Sequence, residues 1–128
     1  MRLLLDTCSF LWFQANSPHL SSTARTQILD PANEVYLSAV SVWEIARKYA
    51  QGRISLPSHP STLIPAIRQA SGIESLPLTE SDALAAEKLQ LLHKDPFDRM
   101  LIAQALMGGL VIVTRDRAFE PYPVRVIW

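Results

Sequence analysis

Leu110-Val111-Ile112-Val113-Thr114-Arg115-Asp116 is an unbroken apolar run that ends in a hydroxyl, a guanidinium and a carboxylate. A strand with one wet face alternates apolar and polar residues, whereas a run that is apolar at every position belongs to a parallel strand covered by helices on both sides. Two other runs share this character: Leu3-Leu4-Leu5, followed at once by Asp6, and Val35-Tyr36-Leu37. Helix-length amphipathic segments lie between them, so the chain reads β, α, α, β, α, α, β, α, α, β, β. That order predicts an α/β fold, a three-layer sandwich with a mostly parallel central sheet covered by helices. Val124-Arg125-Val126-Ile127 alternates and is expected at a sheet edge, with Ile73 to Leu76 as a further short strand.

Punctuation places the helices. Ser21 or Ser22 caps a segment running to Asp30, Ser41 opens Val42 to Ala50 ahead of Gly52, and Thr79 begins a helix running to Leu92. Ser61 to Ser71 is helical in period but holds Pro65, so that helix either starts near Ile64 or is kinked. A length of 128 residues suits one compact domain spanning 1–128, and 48% apolar composition is enough for a single core.

Composition excludes several function classes. The stretch Leu101 to Val113 holds Gln104 and Gly108-Gly109 and falls short of the roughly 20 residues needed to span a bilayer, so no membrane partner is expected. Asp6 breaks the N-terminal apolar run too early for a signal peptide, and the single cysteine, Cys8, forms no internal disulfide, so a cytoplasmic location is expected. No glycine-rich phosphate loop, nucleophile elbow or Cys/His zinc pattern occurs. Twelve Lys plus Arg balance twelve Asp plus Glu, which argues against a generally basic nucleic-acid binder.

What remains is a set of acids at pointed positions. Asp6 follows the first strand and Asp116 follows the last long one, where open parallel sheets bind ligands beyond the strands' carboxyl ends. Asp95-Pro96-Phe97-Asp98 reads as a helix start with Asp95 as N-cap. An acid in a first turn is favoured by the helix dipole alone. Asp98, however, shares a face with Leu101, Ile102 and Ala105, so its carboxylate is expected to point inward and to need an Arg, a hydrogen-bond network or a cation. Glu44 differs: its helix most simply buries Val42, Ile45, Ala46 and Tyr49, leaving Glu44 on a solvated side paired with Lys48. Arg47, Arg99, Arg115 and Arg117 each lie within three residues of one of these acids and are candidates to offset their charge, to pair with them or to bind phosphate. His19, His59 and His93 read as surface residues, and Cys8 as a small buried hydrophobe.

Taken together, Leu4-Leu5-Asp6-Thr7, Ser38-Ala39-Val40-Ser41-Val42-Trp43-Glu44-Ile45, His93-Lys94-Asp95-Pro96-Phe97-Asp98-Arg99-Met100-Leu101-Ile102-Ala103-Gln104-Ala105 and Val113-Thr114-Arg115-Asp116 resemble the PIN domain. More narrowly they resemble the VapC toxins of prokaryotic toxin-antitoxin pairs. The resemblance runs the length of the chain in order, and Asp-Pro-Phe-Asp-Arg is its most specific piece. It implies a PIN-like fold, an acidic quartet Asp6, Glu44, Asp98 and Asp116, and hydroxyls at Thr7 and Thr114 that orient carboxylates or water. It raises Glu44 from surface acid to site residue, which periodicity did not. It further implies an endoribonuclease toxin, a cognate antitoxin as partner, RNA as substrate, and a homodimer; Trp12, Phe13 and Trp43 are compatible with a dimer as exposed aromatics and equally compatible with the core.

A quartet of carboxylates without His or Cys suits a hard cation, Mg²⁺ or Mn²⁺. Asp6 and Asp98 are expected as direct ligands, with Glu44 and Asp116 completing the pocket directly or through water. Mutual repulsion is expected to raise at least one carboxyl pKa without metal. A housekeeping RNA-processing or decay nuclease would use the same residues. A receiver-like Mg²⁺-binding module would want paired acids after the first strand and a Lys after a later one, neither of which is present. An inactive interaction domain would not need all four acids. Setting those four aside leaves twelve bases against eight acids, so zero net charge is consistent with an acidic centre in a mildly basic surround.

Overall fold

The computed structural model describes residues 1–128 and orders the elements as the apolar runs predict. They are β1 (Arg2–Leu5), α1 (Thr7–Gln14), α2 (Ser22–Leu29), β2 (Glu34–Ser38), α3 (Ala39–Ala50), α4 (Pro60–Ser71), β3 (Glu74–Leu76), α5 (Glu80–Lys88), α6 (Pro96–Gly108), β4 (Val111–Val113) and β5 (Val126–Ile127), with a 3₁₀ turn at Arg117–Phe119 before β5. The strands form one sheet in the order β3-β2-β1-β4-β5 with every pairing parallel. Leu5 pairs with Leu37 on one side and Val113 on the other, so β1 is central. The two short strands lie at the edges.

Alternation within the apolar runs divides the core. Leu3, Leu5, Val35, Leu37, Val111 and Val113 face Phe10, Ala24, Ile28, Ile45 and Ile64 of the helices on one side. Leu4 and Ile112 face Leu101, Ile102 and Ala105 of α6 on the other, with Val40, Phe119 and Tyr122. Each continuous run therefore supplies both faces, which is why its solvent-facing positions are missing. At roughly 1.5 to 3 kcal/mol for each fully buried large apolar side chain, these layers dominate the stabilisation. No helix is long and apolar enough to cross a membrane.

Helix boundaries depart from expectation in three places. α3 starts at Ala39 rather than Val42, because Ser38, the last residue of β2, is the cap: its Oγ accepts from the Val40 N–H at 3.0 Å and donates to Gln104 Oε1 at 2.6 Å. The strand runs into the helix with no loop to mark the join. α4 starts at Pro60 and carries Pro65 in its second turn. α5 ends at Lys88 rather than Leu92, because Arg99 of α6 gathers the carbonyls of Ala86, Leu89 and Gln90. At the far end of α6, Gly109 adopts φ 65°, the left-handed conformation that glycine takes without strain and that stops a helix sharply.

Candidate metal centre

The chain runs from β1 outward through β2 to β3, then returns to β4 on the opposite side of β1, so the strand order reverses between β1 and β4. Beyond the carboxyl ends of such a pair the connections diverge and leave a crevice. Asp6 begins α1 directly after β1, and Thr114 and Asp116 follow β4. A cavity of about 560 Å³ opens there, lined by Asp6, Thr7, Cys8, Trp12, Glu44, Lys48, Asp95, Asp98, Arg115, Asp116 and Arg117. All four predicted acids share it, although they come from four separate segments of the chain.

Asp6 is the most constrained of them. It is 7% exposed and caps α1, with Oδ1 accepting from the Ser9 N–H at 2.8 Å and Oδ2 accepting from Thr114 Oγ1 at 2.6 Å. Thr114 Oγ1 in turn accepts from the Asp116 N–H at 3.0 Å, and Ser9 Oγ donates to the Val113 carbonyl at 2.8 Å, so hydroxyls stitch β1 to β4 beneath the cavity. Asp116 caps the 3₁₀ turn through the Ala118 N–H. Asp98 sits in the first turn of α6, capped by Asp95 as its sequence implies, and its Oδ2 lies 2.8 Å from His93 Nε2. Glu44 is not on a solvated side: its side chain is 12% exposed and pairs with Lys48 at 3.1 Å on the cavity wall. The pairing is as predicted, but the buried stripe of α3 is Val40, Ser41 and Ile45, and Ala46 is exposed.

Burial raises two of the carboxyl pKa values. Removal from water pushes Asp98 from 3.8 up to about 6, with the His93 hydrogen bond opposing and the charges of Asp95 and Asp6 adding. Asp6 is raised chiefly by burial, against the hydrogen bonds from Ser9 and Thr114, while Asp116 adds to the rise. The direction matches the expectation from crowding, but desolvation rather than repulsion is the leading cause.

These groups fit a hard cation. The donors are predominantly carboxylate oxygens on one cavity, two of them poorly solvated and better satisfied by a metal than by water. The buried Thr7 Oγ1, on the cavity wall, has no hydrogen-bond partner of its own. A tighter group, His93, Asp95 and Asp98, has ligand atoms within 4.8 Å of one another. Within it Asp95 Oδ1 already accepts the Phe97 and Asp98 N–H groups, and His93 is spent on Asp98. We read that group as the scaffold of Asp98.

The candidate arginines separate. Arg115 and Arg117 rim the cavity, Arg115 with its guanidinium 4.5 Å from the Trp12 ring centroid. Arg47 lies outside it, over the rings of Trp43 and Phe97. Arg99 is corrected: it is 8% exposed, touches no cavity wall, and spends its donors on Ala86, Leu89 and Gln90 carbonyls and the Tyr122 hydroxyl, so it is structural. His93 is no free surface residue, and Cys8 is exposed on the cavity wall rather than buried. Trp12 and Phe13 pack against the core and only Trp43 of the three aromatics is largely exposed. Asp95 and Lys48 were legible as cap and ion-pair partner, but not as walls of the site.

The PIN domain family matches residues 3–124, and the chain belongs to it. Among curated relatives, Ribonuclease VapC22 of Mycobacterium tuberculosis is 31% identical over 129 residues, 97% of either chain. The fold resembles VapBC2 from Rickettsia felis bound to a DNA fragment from their promoter, with TM-score 0.74, 12% identity, and coverage of 100% of this chain and 99% of that one. It also resembles a toxin-antitoxin complex from Klebsiella pneumoniae, with TM-score 0.63, 20% identity, and coverage of 98% and 96%.

Proposed function

We propose that this chain, as a single domain, is a metal-dependent endoribonuclease, the toxin of a toxin-antitoxin pair, acting in the cytoplasm and held inactive by a cognate antitoxin. The observation that carries the reading is the convergence of Asp6, Glu44, Asp98 and Asp116 on one cavity in a PIN-domain chain. The 31% identity with a ribonuclease and the fold shared with a toxin-antitoxin complex support it.

In this proposal Asp6 and Asp98 hold Mg²⁺ (or Mn²⁺) directly, with Glu44 and Asp116 contributing directly or through water. When bound, the ion supplies a Lewis acid that eases ionisation of water and offsets charge building on the phosphodiester. Thr114 fixes the Asp6 carboxylate by donating to it, and Thr7 offers its unpartnered hydroxyl to water or phosphate. Arg115 and Arg117 draw the phosphate backbone over the acids. The homodimer would use apolar surface other than Trp12 and Phe13; Leu84, Leu91 and Leu92 are exposed on and just after α5.

Expression in a bacterial host tests the role: the wild-type chain is expected to arrest growth, Asp98→Asn to relieve the arrest, and co-expression of the adjacent open reading frame to relieve it as well. Unimpaired growth under full wild-type expression would refute the toxin assignment, and arrest by Asp98→Asn would refute the site.

A further inference from the structure

Beside the acidic cavity runs a second groove of about 400 Å³, lined by Glu44, Arg47, Lys48, Gln51, Arg53, Lys94, Asp95, Pro96 and Phe97. Glu44, Lys48 and Asp95 belong to both, so the groove opens directly from the cavity. The charge reverses between them. Five acids face three bases in the cavity (Asp6, Glu44, Asp95, Asp98 and Asp116 against Lys48, Arg115 and Arg117). Four bases face two acids in the groove (Arg47, Lys48, Arg53 and Lys94 against Glu44 and Asp95). Lys48 and Glu44 cancel as an ion pair, while Arg47, Arg53 and Lys94 take part in none of the ion pairs of the structure. Three cations without carboxylate partners, gathered beside a phosphodiester-cutting site, form an anion track.

An aromatic surface accompanies the track. Trp43 is 57% exposed on α3, its ring centroid 5.2 Å from that of Phe97, which lines the groove. The Arg47 guanidinium spans both rings, 5.3 Å from the Trp43 centroid and 5.8 Å from that of Phe97. Core packing accounts for Phe97, which contacts the buried cluster around α6, but not for Trp43. Cations tracking a phosphate backbone beside an open aromatic face are the means by which proteins hold single strands, because any unpaired base can stack on such a face. A duplex keeps its base faces in its own stack and cannot use the indole.

We propose that this groove binds the single-stranded nucleotides on one side of the scissile phosphate. Arg47, Arg53 and Lys94 contact the backbone and one unpaired base stacks on Trp43, which makes Trp43 a positioning residue for the bound strand. The inference rests on the nuclease reading for its choice of ligand, but its test measures binding rather than cleavage.

The test uses Asp98→Asn protein in Mg²⁺ as a non-cutting background and a fluorescently labelled RNA of about 12 nucleotides, within the span that single-strand grooves engage, either free or annealed to its complement and read by anisotropy. Adding Trp43→Ala is expected to weaken single-strand binding about tenfold with little effect on the duplex, and Trp43→Phe to recover most of the loss. Arg53→Ala and Lys94→Ala are each expected to reduce the slope of log K against log salt by about 0.7. Trp43, Arg53 and Lys94 are solvent-exposed, and circular dichroism checks that each variant folds. Single-strand affinity unchanged by Trp43→Ala would overturn the proposal. So would that result accompanied by a lower mass in light scattering or by lost antitoxin binding, which would make the face a protein interface. Cleavage retained by the Asp98→Asn background would instead refute the nuclease site, whatever the groove does.

Discussion

Replacing Asp98 by Asn is expected to stabilise the metal-free protein at neutral pH while destroying its response to metal. Burial lifts the Asp98 carboxyl from 3.8 to about 6, a difference of 6 − 3.8, or about 2 pH units, and at about 1.4 kcal/mol per unit this amounts to roughly 3 kcal/mol. The folded state binds this proton more tightly than the unfolded chain does. The associated stability is therefore complete below about pH 3.8 and is lost as pH rises to about 6, above which the loss is constant. Asparagine does not ionise, and its side-chain oxygen can still accept from His93, so the variant escapes the loss. Partial exposure of the side chain, 19%, makes roughly 3 kcal/mol an upper figure. The assay is urea unfolding in EDTA across the acid-to-neutral range, reading the difference between wild type and variant so that Asp6, raised in the same direction, cancels. The gap should widen in favour of the Asp98→Asn variant as pH rises to about 6 and then hold. With metal at about a hundred times its dissociation constant, wild type alone should gain about 2.7 kcal/mol. Parallel pH profiles, or a variant less stable than wild type in EDTA well above the Asp98 pKa, would contradict a buried Asp98 that binds its proton more tightly in the folded state.

Three further outcomes are expected. Thr114→Val removes the donor to Asp6 and the acceptor of the Asp116 N–H, and should cost about 1 to 3 kcal/mol in urea unfolding while weakening metal binding measured by calorimetry. Arg99→Met strands the carbonyls that the guanidinium gathers and should destabilise by about 2 to 4 kcal/mol, while leaving the salt dependence of RNA binding unchanged, since this side chain faces no phosphate path. Mg²⁺ affinity should rise between about pH 5 and about pH 7 with uptake of metal releasing protons, because Asp98 titrates near 6 and must be ionised to serve as a ligand; pH-independent affinity would contradict its place at the metal.

The sheet was readable because nothing but burial on both faces explains Leu3-Leu4-Leu5 and Leu110 to Val113, and the observed registers place those runs side by side. Asp98 was readable because a proline after a capping acid fixes a helix start, and the helix start fixes which residues share its face. Glu44 was not readable from period. The inward stripe of α3 includes Ser41, a polar residue buried without a partner, and assigning the stripe to Val42 and Ala46 rotated Glu44 outward. His93 was hidden for a different reason. It lies in the irregular segment after α5, and its N–H and that of Leu92 donate to the hydroxyl of Tyr122, far along the chain. No local signal predicts a contact so distant in sequence. Arg99 shows the same limit in reverse: its place beside Asp98 suggested phosphate, while the fold assigned it to the end of α5.

Asp6, Glu44, Asp98 and Asp116 are proposed to hold a divalent ion together and to cut RNA with it. The direct measurement is cleavage of end-labelled RNA by purified wild-type and Asp98→Asn protein in Mg²⁺ and in EDTA. Discrete internal cuts by wild type in Mg²⁺ alone, absent with EDTA and absent with Asp98→Asn, are the predicted result. Cuts that persist in EDTA, or that the Asp98→Asn protein makes as fast as wild type, would contradict it.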